Sequence, residues 1–191
     1  MNISVTVPCL IGSLRFTDYI VGPSPASLQN MCLTAYRDVQ QQFAGRNLSD
    51  EPLIQEVRQL FRSVGIDPTR YRPSSEALLR RVTKTQALPW INNMVDINNL
   101  CSVTSFLPIG AYDTANISGD ITIRLAQPDE QYTGLAKQFS LADKIVAADA
   151  LGPFGAPIGD SDRTKITNTT TTVLVLIFSP HTTLGEITLH K

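Results

Sequence analysis

Short amide and carboxylate side chains are concentrated in one segment of the sequence, INNMVDINN at residues 91–99. Apolar residues recur around them at helical spacing, so a helix that begins near Pro89 would carry the polar side chains in one continuous stripe. The stripe residues that we consider as ligand-binding candidates are Asn93, Asp96, Asn98 and Asn99. A buried amide or carboxylate has to be hydrogen-bonded. The stripe therefore either ties neighbouring loop backbone to the helix or forms one wall of a ligand-binding site.

A second group of candidates lies in a loop rich in glycine and proline, GPFGAPIGDSDRT at residues 152–164. Its glycines, Gly159 among them, allow backbone to approach a ligand closely, and Asp160 and Ser161 add a carboxylate and a hydroxyl. No Gly-Lys-Ser/Thr sequence follows, so the spacing is not that of a phosphate-binding loop. A plain surface turn is the alternative interpretation of the same residues.

The supply of histidine and cysteine limits the chemistry available to the chain. Both histidines, His181 and His190, fall near the C-terminus, and the three cysteines follow no metal-ligand spacing. Zinc chemistry and Ser-His-Asp catalysis are therefore disfavoured, and we expect neither a metal ion nor a cofactor. Three widely separated cysteines are typical of reduced thiols inside a protein.

Charge is distributed unevenly although the formal net charge is only −1. Basic residues are concentrated between positions 70 and 84, where Glu76 is the only acidic residue. These basic residues are Arg70, Arg72, Arg80, Arg81 and Lys84. A solvated helix face and an RNA-binding surface are both compatible with the pattern, and the second requires the side chains to line one edge.

Hydropathy gives an expectation about location. The longest apolar run, Val173 to Phe178, is far too short for a membrane span. The N-terminal residues lack the basic region and long apolar core of a signal peptide. We therefore expect a cytoplasmic protein without a membrane partner.

The order of the predicted elements indicates an α+β fold. Apolar residues at helical spacing predict helices that begin near Pro25, Pro52, Ser74 and Pro89, all in the first half of the chain. Alternating patterns predict strands at residues 3–7, 14–21, 120–126, 131–134, 144–149 and 169–179. Such segregation favours α+β over an alternating parallel fold. In the intervening LPIGAYD turn, Asp113 is expected to cap or brace backbone.

Taken in order, these segments resemble the B3/B4 domain of the bacterial phenylalanyl-tRNA synthetase beta chain. The matching segments are PSSEALLRRV (73–82), NMVDINN (93–99), LPIGAYD (107–113), GDITIRLA (119–126), DKIVAADALGPFGAPIGDSDRT (143–164) and TTTTVLVLIFSP (169–180). The resemblance covers residues 70–180 and implies a three-layer α+β fold that contains a β-sandwich. The chain is too short for a whole synthetase beta chain. We therefore expect a free-standing domain over residues 1–191, with strands and helices of residues 1–69 packed on the part that matches.

The resemblance also implies an activity. In synthetases this domain is the editing module, which hydrolyses tyrosine mistakenly esterified to the phenylalanine tRNA. A free-standing copy would remove tyrosine or a related amino acid in trans, with the 3′ end of an aminoacyl-tRNA as its partner and no role for DNA.

When the family's pocket residues are aligned with this sequence, several positions carry a different residue type. The family often has arginine at the position of Asn93, threonine at Asn98 and a pocket histidine at Gly110. A family glutamate corresponds to Asp160, or with a shifted register to Ser161 or Asp162. Asp160 is then the candidate general base, while backbone amides and a tRNA hydroxyl could stabilise the oxyanion. Gly110 is expected to enlarge the pocket, so the accepted side chain could differ from tyrosine.

Three hypotheses remain open at this stage. The first is trans-editing by a deacylase whose pocket lies between the asparagine stripe and the Asp160 loop. The second is a non-catalytic RNA- or tRNA-binding module, favoured by Gly110 and by the basic residues. The third is a pocket for a free amino acid or a similar metabolite.

Overall fold

The computed structural model describes residues 1–85, 87–134 and 138–189. His190 lies outside these ranges. None of the described helices is long and apolar enough to span a membrane.

The helices begin close to the residues that the sequence indicates. Their bounds are Ala26–Gln42 (α1), Pro52–Ser63 (α2), Ser74–Thr85 (α3), Asn93–Ser105 (α4) and Thr183–Leu189 (α5). Helix α2 begins at Pro52 because proline is well tolerated in the first turn, where its missing N–H is not needed. Helix α4 begins four residues later than predicted, because Asn92 caps it by accepting a hydrogen bond of 2.9 Å from the backbone N–H of Val95.

The strands form two main sheets and a short hairpin. Their bounds are Ile3–Val5 (β1), Cys9–Phe16 (β2), Ile109–Asp113 (β3), Ile121–Leu125 (β4), Gln131–Thr133 (β5), Gln138–Ser140 (β6), Ile145–Asp149 (β7), Gly152–Gly155 (β8) and Val173–Pro180 (β9). One sheet has the order β1-β4-β7-β8 and the other has the order β2-β9-β3, while β5 pairs with β6. Only the β1–β4 pairing is parallel among those described.

The side chains of β9 alternate between two cores, so the three-stranded sheet lies between the four-stranded sheet and a layer of helices. Leu174 and Leu176 face the four-stranded sheet, where they share a core with Phe154 of β8. Val173 and Val175 face the opposite way and pack with Met94 of α4. Helices α1, α3 and α4 pack on one another in a core of their own. The result is a helical layer, a three-stranded sheet and a four-stranded sheet, which confirms the predicted α+β class.

Candidate functional site

The carboxylate of a half-buried aspartate and a fully buried phenol meet between the two sheets. Tyr112 on β3 is fully buried, and its hydroxyl donates a hydrogen bond of 2.8 Å to Oδ1 of Asp160 in the loop after β8. Burial raises the pKa of Asp160 to about 7, although the hydrogen bonds from Tyr112 and the backbone of Ala156 oppose that change. Burial and the charge of Asp160 raise the pKa of Tyr112 well above its ordinary value. Asp160 therefore exchanges its proton near neutral pH.

The space beside Gly110 is filled, not open. Gly110 and Tyr112 project from the same face of β3, and the phenol ring of Tyr112 lies over Gly110 and over Gly155 of β8. A Cβ atom on either glycine would overlap that ring. The ring also packs edge-to-face on Phe154, with 5.0 Å between the ring centres. A histidine at position 110 is therefore incompatible with this Tyr112 rotamer.

The other candidates in the loop hold its shape. The Tyr132 hydroxyl donates to the carbonyl oxygen of Gly159. Ser161 is buried, and its Oγ accepts a hydrogen bond of 3.0 Å from the backbone N–H of Arg163. The guanidinium of Arg163 pairs with both carboxylate oxygens of Asp149, at 2.9 and 3.0 Å. These contacts fix the loop after β8 and with it the position of Asp160.

Two polar residues of α4 brace neighbouring backbone. The Asn93 side chain donates to the carbonyl oxygen of Ile20 at 2.9 Å and accepts from the N–H of Gly22 at 3.3 Å. Asp96 is buried and accepts hydrogen bonds of 2.5 Å from the Ser24 hydroxyl and 3.1 Å from the backbone N–H of Ile91. Both side chains thus tie flanking segments to the helix.

The remaining two amides lie on the helix side of β3. The side-chain N–H of Asn98 donates to the carbonyl oxygen of Ile109 at 3.1 Å, and its Oδ1 is buried without a partner among the described residues. Asn99 is half-buried and makes no side-chain hydrogen bond within the described ranges. Helix α4 covers the face of β3 that carries Ile109, whereas Tyr112 and Asp160 lie behind the opposite face. The expected arrangement, with the stripe and the loop as facing walls of one pocket, is therefore wrong.

The basic residues form a structured cluster around one carboxylate. Glu76 on α3 is buried and accepts hydrogen bonds of 2.8 and 2.7 Å from Arg58 on α2 and of 3.0 Å from Nε of Arg80. Nε of Arg72 lies 3.4 Å from the same carboxylate without hydrogen-bond geometry. Burial opposes ionisation of Glu76, but the bonds from Arg58 and Arg80 outweigh it and lower its pKa.

The other predicted basic residues are exposed at the surface. Arg70 is exposed, and its guanidinium lies 5.2 Å from the ring centre of Tyr71. Nζ of Lys144 approaches the same ring to 4.0 Å. Arg81 and Lys84 are exposed on the second half of α3.

A backbone contact connects the basic helix to the Asp160 loop. The N–H of Ser74, the first residue of α3, donates to the carbonyl oxygen of Pro157 at 2.8 Å. Pro157 precedes Asp160 by three residues. The basic cluster and the buried aspartate therefore lie at connected parts of the molecule, while α4 contributes to neither.

Two residues of these clusters, Arg58 and Tyr112, could not be recognised from local sequence patterns. Arg58 precedes Glu76 by eighteen residues on another helix, so no spacing signal joins the two. Tyr112 stood in a segment that we interpreted as a turn. Interpretation of LPIGAYD as a strand would have placed positions 110 and 112 on one face.

Together, the two sheets, the helices that cover one of them, and the basic helix tied to a loop with a buried aspartate define the class of domain. A family model described as "B3/4 domain" matches residues 56–185, which is more than half of the chain. The chain belongs to the B3/4 domain family. The resemblance predicted from the motifs is thereby confirmed.

Curated relatives agree with this assignment. The chain is 38% identical over 87 residues to the phenylalanine–tRNA ligase beta subunit of Psychrobacter arcticus, a match that covers 44% of the chain and 11% of the relative. The beta subunit of Cutibacterium acnes is 31% identical over 124 residues, with 62% and 15% covered. The chain thus matches a small part of each of these subunits.

A solved structure shows a more distant similarity. It is an N-terminal fragment of the phenylalanyl-tRNA synthetase beta subunit from Pyrococcus horikoshii, with a TM-score of 0.41 and 13% identity. The alignment covers 87% of this chain and 68% of the fragment. The fold described above rests on the chain's own sheets and helices.

Proposed function

We propose that this B3/4 domain binds tRNA through the basic cluster on α2 and α3. The observation that carries the proposal is the convergence of three guanidinium groups, from Arg58, Arg72 and Arg80, on the single buried carboxylate of Glu76. One carboxylate neutralises one of the three charges, so a local excess of positive charge remains in a chain whose net charge is −1. The names of the relatives supply the kind of RNA.

Phosphate contact follows from the chemistry of these side chains. Arginine presents planar N–H donors that match phosphate oxygens, and contacts of this kind release counterions from the RNA. Because the overall charge is near zero, attraction for RNA has to arise from this local cluster. The proposal therefore requires tRNA binding that weakens as salt increases.

Paired substitutions test the proposal. Combined Arg80→Ala and Arg81→Ala should weaken tRNA binding and reduce the slope of log K against log salt by about 1–2. Arg37→Ala on α1, an exposed arginine whose described contact is with Thr34, is a control on another helix and should leave binding unchanged. Fluorescence anisotropy with labelled tRNA at several salt concentrations measures both quantities. Equal losses in the two variants would contradict a role for this surface.

A second candidate function is hydrolysis of a mischarged aminoacyl-tRNA, with Asp160 as general base. The pKa of about 7 favours it, because a general base works best when its pKa is near the working pH. The connection of α3 to the loop through Ser74 and Pro157 would bring bound tRNA close to this carboxylate. The hydrogen bond from Tyr112 and the filled space beside Gly110 oppose it, so Tyr112 would have to move before an ester reached Asp160.

Deacylation is separable from binding by one substitution. If the domain is a deacylase, Asp160→Asn should slow release of tyrosine from tyrosyl-tRNA(Phe) by about 10²–10⁴-fold while tRNA affinity is unchanged. Lys165→Ala, at an exposed residue whose ion pair is with Asp162, is a control near the loop. Release by the wild-type protein at the rate in buffer alone would exclude hydrolysis and leave the binding function.

A further inference from the structure

The cluster around Glu76 has a geometry that its charge alone does not require. Arg80 uses Nε to reach the carboxylate, and within the described ranges its two terminal nitrogens make no hydrogen bond. The side chains of Arg72 and Arg80 remain 38% and 41% exposed, whereas that of Glu76 is 1% exposed. The carboxylate thus lies beneath the guanidinium groups, and donors are left facing solvent.

We infer that Glu76 is a positioning residue, which orients these arginines as a preformed cradle for the phosphodiester backbone of RNA. The inference rests on the proposed tRNA binding and adds a residue that would never itself contact RNA. A long arginine side chain loses rotamer freedom when it binds phosphate. Because a hydrogen bond to Glu76 fixes the side chain of Arg80 in advance, and the ion pair at 3.4 Å restrains that of Arg72, less of that freedom is lost on binding.

The cradle extends onto α2, beyond the basic residues that the sequence singled out. Arg58 and Arg62 are one helical turn apart and line the same open depression. Gln59 lines it too and adds an amide donor, while the amide of Gln55 donates to the carbonyl oxygen of Ser49 at 2.9 Å. Its one carboxylate, Glu56, accepts a hydrogen bond of 2.6 Å from the Thr182 hydroxyl. Arg58 joins this depression to α3, because its guanidinium also bonds to Glu76.

Glu76→Gln separates this inference from a general electrostatic effect. The substitution removes a negative charge, so the surface becomes more positive, and long-range attraction alone predicts tighter tRNA binding at low salt. The cradle predicts the opposite. An amide keeps only one oxygen acceptor and turns an N–H₂ group toward the guanidinium groups, so it cannot hold all of them.

The matched control is Glu130→Gln. Glu130 forms a two-bond pair with Arg124, both at 2.7 Å, so this change also removes one negative charge and releases one arginine. It does so on β4 and the segment after it, outside α2 and α3. The two variants are therefore equal in charge and differ in which arginines lose their partner.

Labelled tRNA binding to the full chain should distinguish the outcomes. For Glu76→Gln we expect a Kd about three- to tenfold weaker and a salt slope reduced by about 1, while Glu130→Gln binds as tightly as the wild-type protein or more tightly. If Glu76→Gln binds tRNA as tightly as the wild-type protein or more tightly, the cradle is overturned. The proposed function would remain intact in that case, because the wild-type protein still binds tRNA. No wild-type binding would overturn both. If Glu76→Gln unfolds, Arg62→Ala decides: a weaker Kd than that of Arg37→Ala supports the cradle, and equality contradicts it.

Discussion

The Tyr112 hydroxyl and Oδ1 of Asp160 are 2.8 Å apart in the space between the two sheets. This contact determines what the aspartate can do. It satisfies one carboxylate oxygen inside the protein, and it holds the phenol ring over Gly110 and Gly155. Burial raises the pKa of Asp160 to about 7, and the hydrogen bond from Tyr112 opposes that rise.

Loss of the hydroxyl should destabilise the protein most where Asp160 is ionised. Tyr112→Phe removes the donor and leaves the ring, so a buried carboxylate loses a hydrogen bond, at a cost of about 1–3 kcal/mol. Urea denaturation at pH 8 measures the change. Tyr19→Phe, at a hydroxyl without a described hydrogen bond, is the control and should cost far less. Equal effects of the two substitutions would show that the Tyr112–Asp160 bond is unimportant.

The raised pKa of Asp160 predicts the direction in which the free energy of unfolding changes with pH. The folded protein keeps the proton up to a pKa of about 7, whereas the unfolded chain loses it near 3.8. The stability that the protonated group contributes is fully present below pH 3.8 and is lost as the pH rises through 7. The free energy of unfolding of the wild-type protein, relative to that of Asp160→Asn, should fall over this interval. A constant difference from pH 4 to pH 8 would contradict the assigned pKa.

The filled space beside Gly110 predicts a strong coupling between two positions. Gly110→His should be destabilising by at least about 1–3 kcal/mol, because the imidazole overlaps the Tyr112 ring. In combination with Tyr112→Ala the histidine should cost much less, since the ring is gone. A double-mutant cycle measured by denaturation gives the coupling free energy, which should exceed about 1 kcal/mol. Additive effects would mean that the two side chains do not compete for one space.

The same packing argues against a preformed pocket for an amino acid. Tyrosine and phenylalanine should leave the melting temperature of the wild-type protein unchanged. Tyr112→Ala removes a buried aromatic ring at a cost of about 3–5 kcal/mol, and the apolar cavity that remains should bind p-cresol better than toluene because Asp160 can accept a hydrogen bond from its hydroxyl. A thermal shift of the wild-type protein with free tyrosine would revive the hypothesis of a metabolite pocket.

Elements with local signals were predictable from the sequence. The apolar spacing after Pro25 and Pro52 located the first residues of α1 and α2 to within one position. Asp113 was expected to cap or brace backbone. It does so by accepting a hydrogen bond of 3.0 Å from the N–H of Ala115, with the Thr170 hydroxyl at 2.7 Å on its other oxygen.

Elements defined by distant pairing were not predictable in the same way. The predicted strand at residues 14–21 is displaced, because β2 pairs with β9 from Cys9 to Phe16. The LPIGAYD segment and the start of the glycine-rich loop, interpreted as turns, contain β3 and β8. Glycine and proline lower local strand propensity, yet pairing with β9 and β7 stabilises both strands.

The candidate site shows the same limit. The sequence identified Asp160 and the basic residues but joined Asp160 to the asparagine stripe. The periodicity of polar residues in the sequence predicts which face of α4 is polar. It does not predict which face of β3 the helix packs on. Three-dimensional packing separates Asn98 from Asp160 and brings Arg58 to Glu76.

Ultraviolet crosslinking of the full chain to tRNA, followed by peptide mass spectrometry, tests the central claim most directly. If tRNA binds the basic cluster, crosslinked peptides should come from residues 52–85, and their yield should fall in Arg80→Ala and rise as salt is lowered. Crosslinks confined to α1 or to β2, or a yield insensitive to both changes, would contradict the account.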